Sequence, residues 1–298
     1  MVYNLSKGVP IKEESDERMI ERMKSLQEQE QRLRKTMDKV KHKIAIISGK
    51  GGVGKSTVTA NLAVAFAGKG YQGKVGVLDA DIHGPCIPKI LGVQGERLSV
   101  GPPGVFPVKG PIDIKVISMA FLLQSERDPV IWRGPLKMAA IRQFLTDIQW
   151  GNLEYLFIDL PPGTGDEPLS VIQLLPDLDG VIIVTIPSEV SQLVVKKAIT
   201  FARHLNVPIL GVIENMSGFV CPKCGSKTDI FASGGVKEIA DELSVSILGE
   251  IPLDPRISKY SDLGLPFIVN SPNSASTEAF MRIVEKVEGI LKKKEGND

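Results

Sequence analysis

The octapeptide Gly49-Lys50-Gly51-Gly52-Val53-Gly54-Lys55-Ser56 limits what this chain can fold into more than any other stretch. It fits G-x-x-x-x-G-K-[ST], in which glycines let backbone N–H groups turn inward around phosphate oxygens while a helix N-terminus adds its dipole. Average residue usage produces that pattern by chance in on the order of one chain in a hundred of this length, so its surroundings decide. The apolar run Ile44–Ser48 leads in and the alanine-rich helical stretch Ser56–Gly68 leads out, which is the strand–loop–helix setting a phosphate cradle needs. Gly49, Gly51, Gly52, Val53, Gly54 and Thr57 are expected along the phosphates, with Lys55 at the β/γ-phosphates and the Ser56 hydroxyl on Mg²⁺. Lys50 is not required by the pattern, so it stands as an extra charge inside the loop.

From Ile44 onward, short β-branched runs alternate with helical stretches. The predicted strands are Ile44–Ser48, Lys74–Asp79, Ile114–Met119, Tyr155–Asp159, Val181–Ile186, Ile209–Ile213 and Ser246–Ile251. Most are continuously apolar, which marks strands buried on both faces. Helices are predicted between them, at Ser56–Gly68, Leu136–Ile148, Glu189–His204 and Gly235–Leu243, with a last one from Ser276 to about Lys293. The expected fold is a doubly wound, mainly parallel α/β sheet of about seven or eight strands, with helices on both faces and ligands at the strand carboxyl ends. Residues 44–298 are expected to form one domain of this kind, with a metal loop at 214–226.

Two carboxylate stations sit where such a site needs them. Leu78-Asp79-Ala80-Asp81 closes the second predicted strand, and Phe157-Ile158-Asp159-Leu160-Pro161-Pro162-Gly163 closes the fourth. Asp159 is placed to hold the Mg²⁺ shell. Asp79 is expected to prop the loop and that shell, and Asp81 to orient or deprotonate an attacking water. Aspartates after strands are commonly turn formers, so these roles lean on the phosphate loop. No N-K-x-D guanine signature occurs.

Cys221-Pro222-Lys223-Cys224-Gly225 is the second strong signal. Two thiolates at this spacing grip one metal, but tetrahedral Zn²⁺ or a four-iron cluster needs four ligands. Cys86 stands alone, and His42, His83 and His204 are not at ligand spacing, so one chain carries half a site. A symmetric dimer sharing one centre on its two-fold axis completes it. A redox pair, a shared structural zinc and a shared iron–sulfur cluster all remain open on ligand chemistry alone.

Residues 1–43 differ from the rest. Met19, Met23, Leu26, Leu33, Met37 and Val40 recur at spacings of three and four, with Glu30 filling a gap, which predicts an amphipathic helix lying on its own domain or on a partner subunit. The basic end, including Lys39, Lys41 and Lys43, is expected to be a solvated face. With 43% hydrophobic and 24% charged residues, global disorder is excluded. Lys+Arg 36 against Asp+Glu 35 leaves no global electrostatic drive toward nucleic acid or anionic lipid, so no stable nucleic-acid or membrane partner is expected. No apolar run reaches about 18 residues, and the charged N-terminus lacks a secretory pattern. With only three cysteines, a cytoplasmic location is expected.

The combination GKGGVGKST, LDADIHGP, WRGP at 132–135, FIDLPPGTGDE, ENMSGFVCPKCG and GEIPLDPRI resembles the Mrp/ApbC-type iron–sulfur cluster carrier ATPases, part of the MinD/ParA-like deviant P-loop class, over about residues 43–290. The resemblance implies an ATP site in which Lys50 reaches across a dimer to the partner's nucleotide, making Lys50, Lys55 and Asp81 the catalytic set. Asn215 would lie against the adenine, with Pro252, Leu253 and Asp254 in a second adenine-side loop, and Asp81 and 161–166 would fall in switch segments. It further implies a cytoplasmic homodimer that holds a [4Fe–4S] cluster between Cys221 and Cys224 of both subunits and passes it to apo-proteins. The chain departs from the pattern in lacking a four-cysteine N-terminus or a small α/β N-terminal domain. Cys86 stands where Ser is expected and is read as a small buried residue. The alternatives are a MinD/ParA-like positioning ATPase acting on membrane or DNA, and an ATPase with a purely structural bridging Zn²⁺.

Overall fold

The computed structural model describes residues 11–102, 104–122, 134–221, 224–230 and 235–296. Trp132 and Arg133 of the WRGP motif, and Pro222 and Lys223 between the cysteines, lie outside them. The strands are β1 (Val40–Ile47), β2 (Val75–Asp79), β3 (Ser99–Gly101), β4 (Gly104–Phe106), β5 (Val108–Lys109), β6 (Lys115–Ser118), β7 (Leu153–Asp159), β8 (Gly180–Thr185), β9 (Ile209–Val220), β10 (Lys227–Thr228) and β11 (Ile247–Leu253). The helices are α1 (Ile11–Met37), α2 (Lys55–Phe66), α3 (Ile87–Ile90), α4 (Gly134–Thr146), α5 (Asp166–Leu174), α6 (Glu189–His204), α7 (Gly235–Glu242), α8 (Pro255–Asp262), α9 (Phe267–Asn270) and α10 (Ala275–Glu295).

The central sheet runs β10-β9-β8-β1-β7-β2-β6-β5, with β11 also paired to β9. Its long strands are parallel, and only the short β5 and β10 run antiparallel. Side chains alternate between two cores, as the period of a strand requires. On β1, Ile44 and Ile46 face a core built with α2 and α10, whereas Ala45 and Ile47 face a core built with α4, α5 and α6. On β7, Tyr155 and Phe157 face the first core and Leu156 and Ile158 the second. Burial on both faces explains why these strands read as unbroken apolar runs. All seven predicted strands form, in a doubly wound, mainly parallel sheet. Because β7 and β8 flank β1 on opposite sides, the carboxyl end of β1 opens at a topological switch point, where such sheets bind ligands.

Three features depart from the sequence reading. Strand β1 begins at Val40, so the basic residues His42 and Lys43 are not solvated but buried. The His42 Nδ1 lies 3.2 Å from Asp179 and its ring stacks on Tyr155, while the Lys43 ammonium donates to the carbonyl of Met37, which ends α1, and to that of Val40, which begins β1. The amphipathic stripe of α1 is only half used: Leu33 and Met37 pack into the second core, while Met19, Met23 and Leu26 are exposed. Finally, 214–220 is not a loop. β9 continues to Val220 because β11 pairs with it from Val212 to Phe219 and takes up its backbone groups. The hairpin of β3 and β4 was not foreseen either. Among the described residues, no helix is long and apolar enough to cross a membrane.

Candidate functional site

A cavity of about 620 Å³ opens at the carboxyl end of β1. One wall is the loop of Gly51, Gly52, Gly54, Lys55, Ser56 and Thr57, and Asp81 and Cys86 enter from the segment after β2. Asn215, Met216 and the stretch Pro252–Pro255 close another side. Helix α2 starts behind Gly54, whose φ of +80° suits glycine. A side chain there would also strike Asn215, since a Cβ would lie 2.3 Å from its amide nitrogen. Asn215 instead donates to the Val53 carbonyl at 2.9 Å and so braces the loop from β9. The free N–H groups of the first turn of α2 and the glycine backbone form a cradle for an anion. Gly49 and Lys50 lie just outside the cavity lining; the Lys50 carbonyl accepts from the Ser48 hydroxyl at 3.0 Å.

Beneath the cradle sit two fully buried carboxylates, side by side in register on β2 and β7. Asp159 takes the Lys55 ammonium at 2.8 Å, the Ser56 hydroxyl at 2.6 Å and the Thr59 hydroxyl at 2.7 Å. Asp79 contacts the backbone N–H groups of Asp81 and Ile87 and the Ser118 hydroxyl, which fits its expected role as a prop. Burial, and then the charge of Asp159, push the Asp79 carboxyl well above its ordinary range. Two carboxylates this close cannot both ionise cheaply, and Lys55 is the cation set against them. Ser56 and Asp159 supply the hard oxygen donors that Mg²⁺ takes beside a triphosphate, so the residues present fit that ion. Asp81 accepts from the Gly84 N–H at 3.2 Å, and Asp254 caps α8 and pairs with Arg256, so only part of its carboxylate faces the cavity.

The cysteine pair lies where β9 leaves the sheet. β10 folds back on Phe219 and Val220, the Cys221 N–H donates to the Ser226 carbonyl, and the Gly225 N–H donates to the Cys221 carbonyl. Gly225 closes this knuckle at a φ of +71°. The Cys224 thiol sits 3.1 Å from the Ser226 hydroxyl, and that hydroxyl, the Ser226 N–H and Cys221 draw it down to about 7. The shift favours the thiolate, the form that binds metal. In metal-free protein, alkylation of Cys224 should rise through pH 7, and Ser226→Ala should move that rise to higher pH and slow the reaction at pH 7 several-fold. An unchanged profile in the variant would contradict this origin for the shift. Among the described residues no three His, Cys, Asp or Glu side chains converge to hold a metal ion. Cys86 is exposed, not buried, its thiol donating to the Gly84 carbonyl, because the segment after β2 turns outward to line the cavity.

Sequence reasoning missed Thr59, Ser118 and Ser226. Thr59 follows Ser56 by three positions, one turn along α2, and that spacing was the available signal. Ser118 and Ser226 carried none, since their partners come from tertiary pairing and a local hairpin.

The family described as ParA, NUBPL iron-transfer P-loop NTPase matches residues 39–288. The iron–sulfur cluster carrier protein of Methanocaldococcus jannaschii is 55% identical over 268 residues, covering 89% of this chain and 92% of that protein. The carrier of the same name from Saccharolobus solfataricus is 53% identical over 255 residues, covering 86% of each. Among solved structures, a nucleotide-binding protein from Archaeoglobus fulgidus in complex with ADP superposes with a TM-score of 0.71 at 44% identity, covering 80% of this chain and 92% of that one. The MinD cell division protein of Aquifex aeolicus, at 24% identity and a TM-score of 0.60, shares the fold. With the phosphate loop, the buried carboxylate pair and the cysteine hairpin all inside the matched span, this chain belongs to the NUBPL-type iron-transfer branch of the ParA P-loop NTPases.

Proposed function

We propose that the chain is an ATP-hydrolysing carrier of iron–sulfur clusters that works as a homodimer and hands its cluster to apo-proteins. The observation that carries this reading is one strand: β9 gives Asn215 to the phosphate loop and, six residues later, leads into Cys221. Nucleotide cavity and cysteine hairpin are thus joined through one strand, which bulges against β11 between Asn215 and Phe219. The identity to named cluster carriers over nearly the whole chain supports the same reading.

In this proposal ATP lies in the cradle, and Ser56 and Asp159 would hold a Mg²⁺ that would neutralise charge on its phosphates. Lys55 meets the β/γ-phosphates, the partner's copy of Lys50 reaches the same nucleotide, and Asp81 orients the water that attacks the γ-phosphorus. Asn215, Pro252, Leu253 and Asp254 flank the adenine. Cys221 and Cys224 of both subunits supply the four thiolates of a [4Fe–4S] cluster, which is cargo rather than a fixed part of the protein. The three free cysteines suit a reducing cytoplasm. Linkage makes the coupling reciprocal: a loaded dimer must bind ATP with a different affinity from an empty one.

Anaerobic reconstitution with iron and sulfide tests the cargo. About four irons per dimer, visible charge-transfer absorption and transfer to an apo-acceptor are expected. One tight zinc per colourless dimer would replace the carrier by a structural clamp. Binding to vesicles or DNA on adding ATP, with no iron uptake, would move the chain to the positioning ATPases.

A further inference from the structure

Outside the nucleotide and cysteine sites, one cluster of charged side chains joins elements that the chemistry above treats separately. The Lys137 ammonium, on the first turn of α4, lies 2.8 Å from Glu167 Oε1 and 2.7 Å from His83 Nε2, and those two atoms are themselves 3.0 Å apart. His83 sits two residues beyond Asp81, in the segment that lines the nucleotide cavity. Glu167 is in the first turn of α5, directly after the Pro161–Asp166 stretch that follows Asp159. Lys137 therefore touches both segments that border the phosphates, from a third element that borders neither.

We propose that Lys137 is a positioning residue that yokes these two segments, so that a change at one end of the triphosphate reaches both together. The placement is costly unless it has such a use. Lys137 is only 5% exposed, whereas the His83 side chain is 60% and the Glu167 side chain 36% exposed. Its charge also lies near the N-terminal, positive end of a 13-residue helix, where a cation is disfavoured. Glu167, by contrast, is well placed at the N-terminus of α5. Burial pushes the Glu167 carboxyl up, but hydrogen bonds from Lys137 and His83 outweigh it and hold the group below its ordinary range. Apolar side chains at both Lys137 and Glu167 would fill this site at lower electrostatic cost, so the ion pair adds geometry rather than stability.

The hydrogen bonding favours a tie over a simple ion pair. Lys137 donates to Glu167, and its second N–H reaches the imidazole nitrogen of His83 when that nitrogen is unprotonated. When Nε2 carries the proton, His83 donates to Glu167 instead, and the segments stay joined through the carboxylate. Other contacts hold each segment separately. Gly84 N–H donates to Asp81 within the first, and Gly163 N–H donates to the Ser48 carbonyl beside the phosphate loop. The triangle thus adds a tie between two segments that are each held locally, with His83 its most exposed member.

This inference rests on nucleotide binding in the cradle, and its test does not require turnover. Hydrogen exchange of the full chain with a non-hydrolysable ATP analogue and Mg²⁺ reads residues 80–86 and 160–167 separately. In the wild-type chain both should gain protection with one shared midpoint. In Lys137→Met, 160–167 should keep its protection while 80–86 loses at least about tenfold of it. MgADP affinity should stay within about threefold, and Tm should fall by no more than a few degrees, because the Glu167 carboxylate left behind keeps part of its contact with solvent. Lys137→Arg should restore joint protection, and Glu167→Gln combined with Lys137→Met should add nothing to the single change. Joint protection surviving in Lys137→Met, or its loss together with ADP binding and Tm, overturns the yoke. So does a wild-type chain that binds the analogue without protecting either segment. ATP turnover is measured in parallel: its absence from the wild-type chain removes the ATPase reading, while the exchange data still decide the role of Lys137.

Discussion

Lys55→Met should weaken MgATP at least about a hundredfold and, without nucleotide, lower stability at neutral pH by about 3–5 kcal/mol. The first effect follows from losing the cation that meets the phosphates. The second follows from what Lys55 touches otherwise: its ammonium is 2.8 Å from Asp159, and both side chains are buried with Asp79 beside them. Removing the cation leaves two carboxyl groups in a dry interior with one compensating charge fewer. The Asp79 carboxyl, already well above its ordinary range, must then rise further once the Lys55 charge that lowers it is gone. A raised carboxyl contributes stability that is present below its unfolded pKa and lost as pH rises through the folded one. The deficit of the variant against wild type should therefore be small near pH 4 and grow toward pH 8, as read by urea unfolding at several pH values. Asp159→Asn placed on top of Lys55→Met should recover much of the stability and none of the binding, since it removes the unpaired charge and not the missing cation. A pH-independent deficit, or a variant that keeps its ATP affinity, would sink this account of the site.

How far the sequence could be read follows from where each residue's partners lie. The long parallel strands were legible because burial on both faces leaves no polar alternation to interpret; Ile44–Ile47 and Leu156–Asp159 announce themselves. The phosphate loop and the carboxylates Asp79 and Asp159 were legible because their spacing to strand ends is local. Val40–Lys43 misled because the groups that make His42 and Lys43 tolerable inside a strand are Tyr155 and Asp179, more than a hundred residues away, together with the end of α1. The extension of β9 misled for a related reason. Asn215, Ser217 and Gly218 read as loop until β11 is known to pair beside them. Met19, Met23 and Leu26 carry the same periodicity as Leu33 and Met37, yet only the latter reach the core, because periodicity states which face is apolar and not how far the domain extends beneath it. The Lys137 triangle left no pattern at all, its members coming from three separate elements.

The remaining large effect concerns the cysteines. Cys221→Ser or Cys224→Ser should cut iron per reconstituted dimer from about four to below about one, while MgATP affinity stays within about threefold of that of the cluster-free wild-type chain. The separation is expected because the knuckle hangs from the end of β9 beyond Asn215, and none of its described residues lines the cavity. Cluster loss in itself does not distinguish a centre shared by two chains from one held by each. Mixing does. When wild-type chains are unfolded, combined with a Cys221→Ser/Cys224→Ser chain and refolded as random dimers, a shared centre needs a wild-type chain on both sides. Iron per total protein then falls as the square of the wild-type fraction, to about a quarter at an equal mixture, whereas a centre held within each chain falls to about a half. The quadratic curve is the expected one, since each chain brings two thiolates to a cluster that requires four, and among the described residues no further His, Cys, Asp or Glu converges to complete the set. A linear curve would place a complete ligand set within one chain and remove the reason for two subunits to meet at the cysteine hairpins.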